Sequence, residues 1–257
     1  MHRNLFRAAA LAVLLATPAY AAGPFESDWS ASAKSRARLI ADAEGVGLEI
    51  ALSPGAITYW RDPGEAGVPP SFDFSQSDNV ARVEVDFPAP VQIPEPDGSV
   101  AFGYRDAVTL PLRVTPADPA KPVRLAVHVD YGVCEKICLP ARADATLTLG
   151  QKGVSPYLAT LAQARASVPK PVAPEALGVA ASPSGDKSWR LCFAAAPREM
   201  FLEAPEGFWI EPKREADGRC YGLALKQAPE GAKPPIGLRL TIKTDTGAQE
   251  TRVTLGG

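Results

Sequence analysis

Residues 123–149 read VRLAVHVDYGVCEKICLPARADATLTL: apolar and polar residues alternate, a short interruption carries Cys134 and Cys138, Pro140 follows, and the alternation resumes. Period-two alternation gives an extended strand one apolar and one wet face, so the stretch fits a β-hairpin and not a helix. A lone hairpin is marginal in water, and the rest of the chain must supply strands to cover its apolar face.

Several segments do so. Strands are expected over Val46–Leu52 and, after the turn Ser53-Pro54-Gly55, over 56–60. A loop is expected over 61–70, where Asp62-Pro63-Gly64 is the sharpest turn signal. Further strands are expected at 80–87, 100–104, 107–114 and 123–131, whereas 91–98 reads as broken by its prolines. The chain carries 26 prolines in 257 residues, about twice the usual share, which disfavours long helices. Six or seven short strands between turns suggest a β-sandwich of immunoglobulin type.

Residues 155–168 break the pattern: Ser155 suits a cap, Pro156 the first helical position, and Leu158, Leu161 and Ala162 one face of a helix of about three turns. The run Pro169-Lys170-Pro171-Val172-Ala173-Pro174 then reads as a stiff, extended domain boundary. Short strands at 189–195, 207–210, 219–226, 238–243 and 251–255 imply a second, smaller sandwich. The expected fold class is therefore all-β: two immunoglobulin-like sandwiches joined by a short helix and a Pro-rich linker. The divisions are 1–21, 22–150, 151–174 and 175–257.

The first division reads as a secretory signal peptide. Arg3 and Arg7 precede an apolar run at 8–16, Ala19-Tyr20-Ala21 has the small-x-small pattern, and cleavage is expected after Ala21. The run is too short to span a bilayer, which needs about 20 residues. Without the leader, 25 basic residues face 29 acidic ones, a net charge of −4. This mild acidity, without a basic cluster, argues against nucleic acid as a partner.

All four cysteines lie beyond the leader, and in an oxidising compartment an even count suggests disulfides. One helical turn apart, or across a tight loop, the Cα atoms of Cys134 and Cys138 can come within the roughly 4.4–6.8 Å that a disulfide requires. So small a loop gains little chain-entropy stabilisation, whereas exposed bonds of this kind exchange readily. Lys136 and Arg142 favour a thiolate there and Glu135 opposes it. The competing reading is a structural clip. Cys192 and Cys220, 28 positions apart in apolar strand-like segments, read as a structural disulfide between strands or sheets, with a second redox pair as the alternative. Once the leader's His2 is removed, His128 is the sole imidazole. With Cys134 and Cys138 it offers soft ligands for copper(I) or zinc, but no fourth ligand is visible, and no metal site is assigned.

The chain also carries an ordered series of short motifs. It runs Thr58-Tyr59-Trp60-Arg61-Asp62-Pro63-Gly64, Pro69-Pro70-Ser71-Phe72-Asp73-Phe74, Phe87-Pro88-Ala89-Pro90, Gly103-Tyr104-Arg105-Asp106, Leu110-Pro111-Leu112 and the run from Asp130 through Cys134 and Cys138 to Pro140. In these residues it resembles the N-terminal periplasmic domain of the DsbD and ScsB-type thiol:disulfide reductases. That resemblance implies an immunoglobulin-like domain whose cysteine pair accepts electrons from a membrane-embedded partner and passes them to oxidised periplasmic proteins. It makes Cys134 and Cys138 the catalytic pair, and Tyr59, Trp60, Tyr104 and Tyr131 candidates for shielding it. Asp130 becomes a candidate for modulating proton transfer.

The implied location is the periplasm. The implied partners are a separate membrane thiol:disulfide reductase as donor, since the chain stops at Gly257 before any membrane or thioredoxin-like domain, and oxidised thioredoxin-like or disulfide-isomerase-like acceptors. No cofactor is expected, because electrons travel through mixed disulfides. Two other classes stay open: a non-catalytic, disulfide-stapled binding or adaptor module, and a copper(I)-handling protein of the ScsB type.

Overall fold

The computed structural model describes residues 23–256 except 66, 96 and 97; the expected signal peptide lies outside the described residues. Eleven strands form the first half of the chain: β1 (Ser30–Ser32), β2 (Ser35–Ala41), β3 (Val46–Leu52), β4 (Ile57–Gly64), β5 (Ser71–Asp73), β6 (Val80–Val85), β7 (Val91–Pro94), β8 (Val100–Arg105), β9 (Ala107–Pro116), β10 (Arg124–Cys134) and β11 (Cys138–Thr148). One sheet runs β1-β2-β3-β9-β6 and the other β11-β10-β4-β8-β7, with β5 also paired to β10. Leu39, Leu48, Ile50 and Leu110 of the first sheet meet Leu125, Val127, Val129 and Val133 of the second, all nearly inaccessible to solvent. Alternation along β10 puts its four inside and sends His128, Asp130 and Cys134 to the opposite face.

Some elements differ from the sequence reading for identifiable reasons. β2 was not expected because Arg36 and Arg38 dilute its apolar signal; both guanidinium groups stack on the Trp29 ring, at 4.3 and 4.2 Å from its centroid. β4 continues four residues into the expected 61–70 loop. The proline-rich 91–98 stretch contains β7, tolerated because β7 is an edge strand and its proline faces no missing partner. β5 and β1 are short and carry little periodicity.

A helix, α1 (Leu158–Ser167), follows. It starts later than its sequence signals, since Ser155 instead donates to the Ala41 carbonyl and accepts from the Tyr157 amide. Its buried face is Leu161 with Ala164, not Leu158 with Ala162; Leu158 is exposed. Leu161 sits against Gly47 of β3, where a Cβ would come within 2.8 Å of it. Arg165 clasps Asp42 at 2.8 Å and Glu44 at 2.9 Å, fixing the helix to the β2–β3 turn.

Part of the stretch read as a stiff, extended connector pairs within a sheet. β12 (Lys170–Pro171) pairs in parallel with the last strand, and the Val172 amide continues the pairing to Glu250. The remaining strands are β13 (Ala180–Gly185), β14 (Ser188–Cys192), β15 (Glu199–Glu203), β16 (Trp209–Arg214), β17 (Cys220–Gln227), β18 (Ile236–Thr244) and β19 (Gly247–Leu255). They build sheets β12-β19-β18-β15 and β13-β14-β17-β16 around Trp189, Leu191, Leu223, Leu238 and Leu240. The chain is thus all-β with two sandwiches.

Phe201 of β15 ties the second sandwich to the core of the first. It is fully buried and packs within the first sandwich's core, with ring centroids 5.8 Å from Trp60 and 5.0 Å from Phe102.

Candidate active site

β10 and β11 pair in register down to Cys134 opposite Cys138, so the cysteines end the two strands instead of lying in the loop. Glu135, Lys136 and Ile137 make the turn, and Glu135 forms an ion pair with Lys34 of the β1–β2 turn. The cysteines are joined by a disulfide, S–S 2.01 Å and Cα–Cα 4.1 Å. Their environments are unequal: Cys134 is 4% exposed, while Cys138 lies at the surface.

Cys134 belongs to a small apolar cluster on the outer face of the second sheet, with Ile57 and Tyr59 of β4, Ile93 of β7 and Ala101 of β8. Tyr59 reaches the disulfide directly, its hydroxyl 2.7 Å from Cys134 Sγ and 3.3 Å from Cys138 Sγ. The approach depends on glycine. A Cβ at Gly67 would sit 2.4 Å from the Tyr59 ring, and one at Gly132 2.9 Å from it; Gly67 also has φ +109°, a left-handed conformation costly for other residues. The ring is therefore clamped between two stretches of backbone.

Burial pushes the Tyr59 phenol above its ordinary pKa, and the negative charge of Glu95 adds to the effect, so the hydroxyl stays protonated and able to donate. Glu95 Oε1 is buried with no hydrogen-bond partner among the described residues, and Glu95 lines a groove together with Tyr59 and Cys138. That groove, about 710 Å³, passes Cys138 between Val68, Pro69, Tyr131 and Leu139. Val68 and Ile137, both largely exposed, give the surroundings of the pair an apolar character.

The other sequence candidates are distributed differently. Tyr131 lines the groove, and its hydroxyl is 2.8 Å from that of Ser35. Asp130 also lines it, and contacts His128 at 3.2 Å and Arg142 at 3.5 Å. Trp60 is fully buried against Phe201, and Tyr104 is buried with its hydroxyl donating to the Pro88 carbonyl at 2.7 Å; neither reaches the cysteine pair. His128 lies six residues along β10 from Cys134, about 20 Å at strand spacing, with its ring nitrogens on Asp144 and Asp130. The Asp144 hydrogen bond, ahead of the nearby carboxylate charges, raises its pKa. Sequence reasoning missed Glu95 and Gly67; the latter's loop carries a turn signal but nothing that ties it to Tyr59.

Cys192 and Cys220 form the second disulfide, between directly opposed residues of β14 and β17. It joins neighbouring strands of one sheet, and no sheet-to-sheet link is made. The Asp217 carboxylate accepts the Cys220 and Arg219 amides at its end.

Residues 28–150 match the family model described as thiol:disulfide interchange protein DsbD, N-terminal. No curated protein sequence matches the chain. Among solved structures, the fold is similar to the N-terminal periplasmic domain of ScsB from Proteus mirabilis, at TM-score 0.70 and 21% identity, covering 91% of this chain and 99% of that one. Residues 28–150, with the cysteine hairpin at their C-terminal end, are a member of the DsbD N-terminal family of thiol:disulfide interchange domains, here followed by a second sandwich.

Proposed function

We propose that this is an exported, periplasmic thiol:disulfide exchange protein that receives electrons from a membrane-embedded reductase and delivers them to oxidised thioredoxin-like or isomerase-like proteins through Cys134 and Cys138. In this reading residues 1–21 are the leader, 22–150 the exchange domain and 175–257 a second domain, with 151–174 between them. The observation that carries the proposal is the asymmetry of the pair: an exposed sulfur on a groove and a buried one under a phenol.

Exchange follows from that asymmetry. The donor's thiolate attacks Cys138 Sγ; the Cys134–Cys138 bond breaks, and its electron pair leaves on Cys134. Burial disfavours that thiolate, and the Tyr59 hydroxyl offsets the penalty by donating a hydrogen bond to it. The donor's second thiol then attacks the mixed disulfide and releases Cys138. The donor ends as a disulfide, and two electrons and two protons now reside on the pair. Delivery is the reverse: the Cys138 thiolate attacks the client's disulfide, and Cys134 resolves the intermediate.

Trapping tests the assignment. Reduced Cys134→Ser protein mixed with an oxidised thioredoxin-like protein is expected to accumulate a mixed disulfide through Cys138. Cys138→Ser protein is expected to trap little, because Cys134 is buried. If Cys134→Ser neither traps a partner nor alters exchange, the reading fails and a disulfide-stapled binding module replaces it.

A further inference from the structure

Three consecutive residues of β4 face three different tasks. Tyr59 touches the disulfide, Trp60 packs on Phe201 of the second sandwich, and Arg61 grips two carboxylates of that sandwich. The grip on Glu203 of β15 is bidentate, Nε to Oε2 at 2.9 Å and Nη2 to Oε1 at 2.7 Å, and Nη2 also reaches Glu250 of β19 at 2.5 Å. The guanidinium lies over the Trp60 ring, 4.5 Å from its centroid. Arg239 of β18 approaches both carboxylates at 3.8 Å, so the cluster is a network and not a lone pair. Burial disfavours the Arg61 charge, and the two carboxylates more than compensate for it.

We infer that the second sandwich is a positioning element for the cysteine pair, acting through Arg61 on the placement of Tyr59. This rests on the exchange function proposed above. Arg61 lies two residues beyond Tyr59 in the part of β4 where the register with β8 shifts, between Tyr59 and Gly64, so side-chain contacts such as the Arg61 grip, and not a regular ladder, hold this stretch in place. Beyond Arg61 the same segment pairs at Gly64 with Ala101 and returns at Gly67 to lie on the Tyr59 ring. The second sandwich thus holds the strand that carries the phenol and anchors the loop that covers it. Arg61, Glu203 and Glu250 contact neither sulfur, and their effect passes through Tyr59.

The test uses Arg61→Met and Glu203→Gln, the second retaining a neutral acceptor in case the first unfolds. Two readouts are taken on the oxidised and redox-equilibrated protein. In the oxidised protein, Tyr59's ionisation is isolated by ultraviolet difference against Tyr59→Phe. Loosening the grip is expected to lower its pKa towards the ordinary tyrosine value. The equilibrium of the pair with glutathione is expected to shift by about fivefold in the direction produced by Tyr59→Phe, the size of a weakened hydrogen bond to a thiolate. In a Tyr59→Phe background the Arg61 change is expected to add little, the signature of two residues acting as one unit.

The inference is overturned if both variants leave Tyr59's titration unchanged, or if their effects on the equilibrium simply add to that of Tyr59→Phe. A wild-type pair that does not exchange at all removes the exchange function. The tyrosine titration then still decides whether Arg61 positions the phenol.

Discussion

A hydroxyl 2.7 Å from a buried sulfur contributes most when that sulfur carries charge, because hydrogen bonds to ionised groups exceed those between neutral groups. Tyr59→Phe leaves the ring and its packing in place and removes only the donor. It is expected to slow attack of a small thiol on Cys138 by roughly tenfold or more, corresponding to the ~1.5–3 kcal/mol of a charged hydrogen bond, with thermal stability little changed. An unchanged rate, followed by stopped-flow alkylation, would assign Tyr59 to packing alone. The sequence showed the cysteines and their spacing plainly. It did not distinguish Tyr59 from its neighbour Trp60, since both are large aromatics in one short strand. Only the pairing of β4 with the end of β10 decides which of them meets the disulfide. Glu95 was invisible for a similar reason: one acidic residue beside prolines carries no pattern until β7 places it at the groove.

Elements were legible in proportion to how regularly they alternate. β11 alternates more and less buried residues along its whole length and β10 does so from Val127 to Val133, so period two was easily read from them. β2 hid behind two arginines that stack on Trp29, and β12 behind prolines that suggested a linker. The helix was legible as a helix, but its buried face was not, because alanine and leucine on neighbouring faces are equally apolar in sequence. Its attachment yields a pH prediction. Burial pushes the Asp42 carboxyl up, but the Arg165 hydrogen bond and the Glu44 and Gly45 amides outweigh that and hold it below its ordinary value. A depressed carboxyl stabilises the fold above its unfolded-state pKa and loses that contribution as pH falls through the folded-state value. The urea midpoint should therefore fall more steeply between about pH 5 and pH 3 in the wild type than in Asp42→Asn. Parallel slopes would remove Asp42 from the account.

At the scale of the whole molecule, the two sandwiches are tied by a buried ring in addition to the Arg61 ion network. Phe201→Ala opens a cavity between Trp60 and Phe102 and is expected to cost about 3–5 kcal/mol. Because β15 of the second sandwich buries this ring in the core of the first, calorimetry should show the single transition moving down and separating into two. A variant that unfolds as the wild type does would mean that the sandwiches fold independently of this contact. The two disulfides divide in the same spirit. Cys192–Cys220 is held within a sheet of the second sandwich, whereas Cys134–Cys138 closes a hairpin tip with one sulfur at the surface.

That division is tested most directly by equilibrating the protein across glutathione and dithiothreitol buffers, trapping free thiols and mapping each cysteine by mass spectrometry. The account predicts that Cys134–Cys138 titrates between about −180 and −270 mV while Cys192–Cys220 stays oxidised. Both bonds resisting together, below roughly −300 mV, would contradict it.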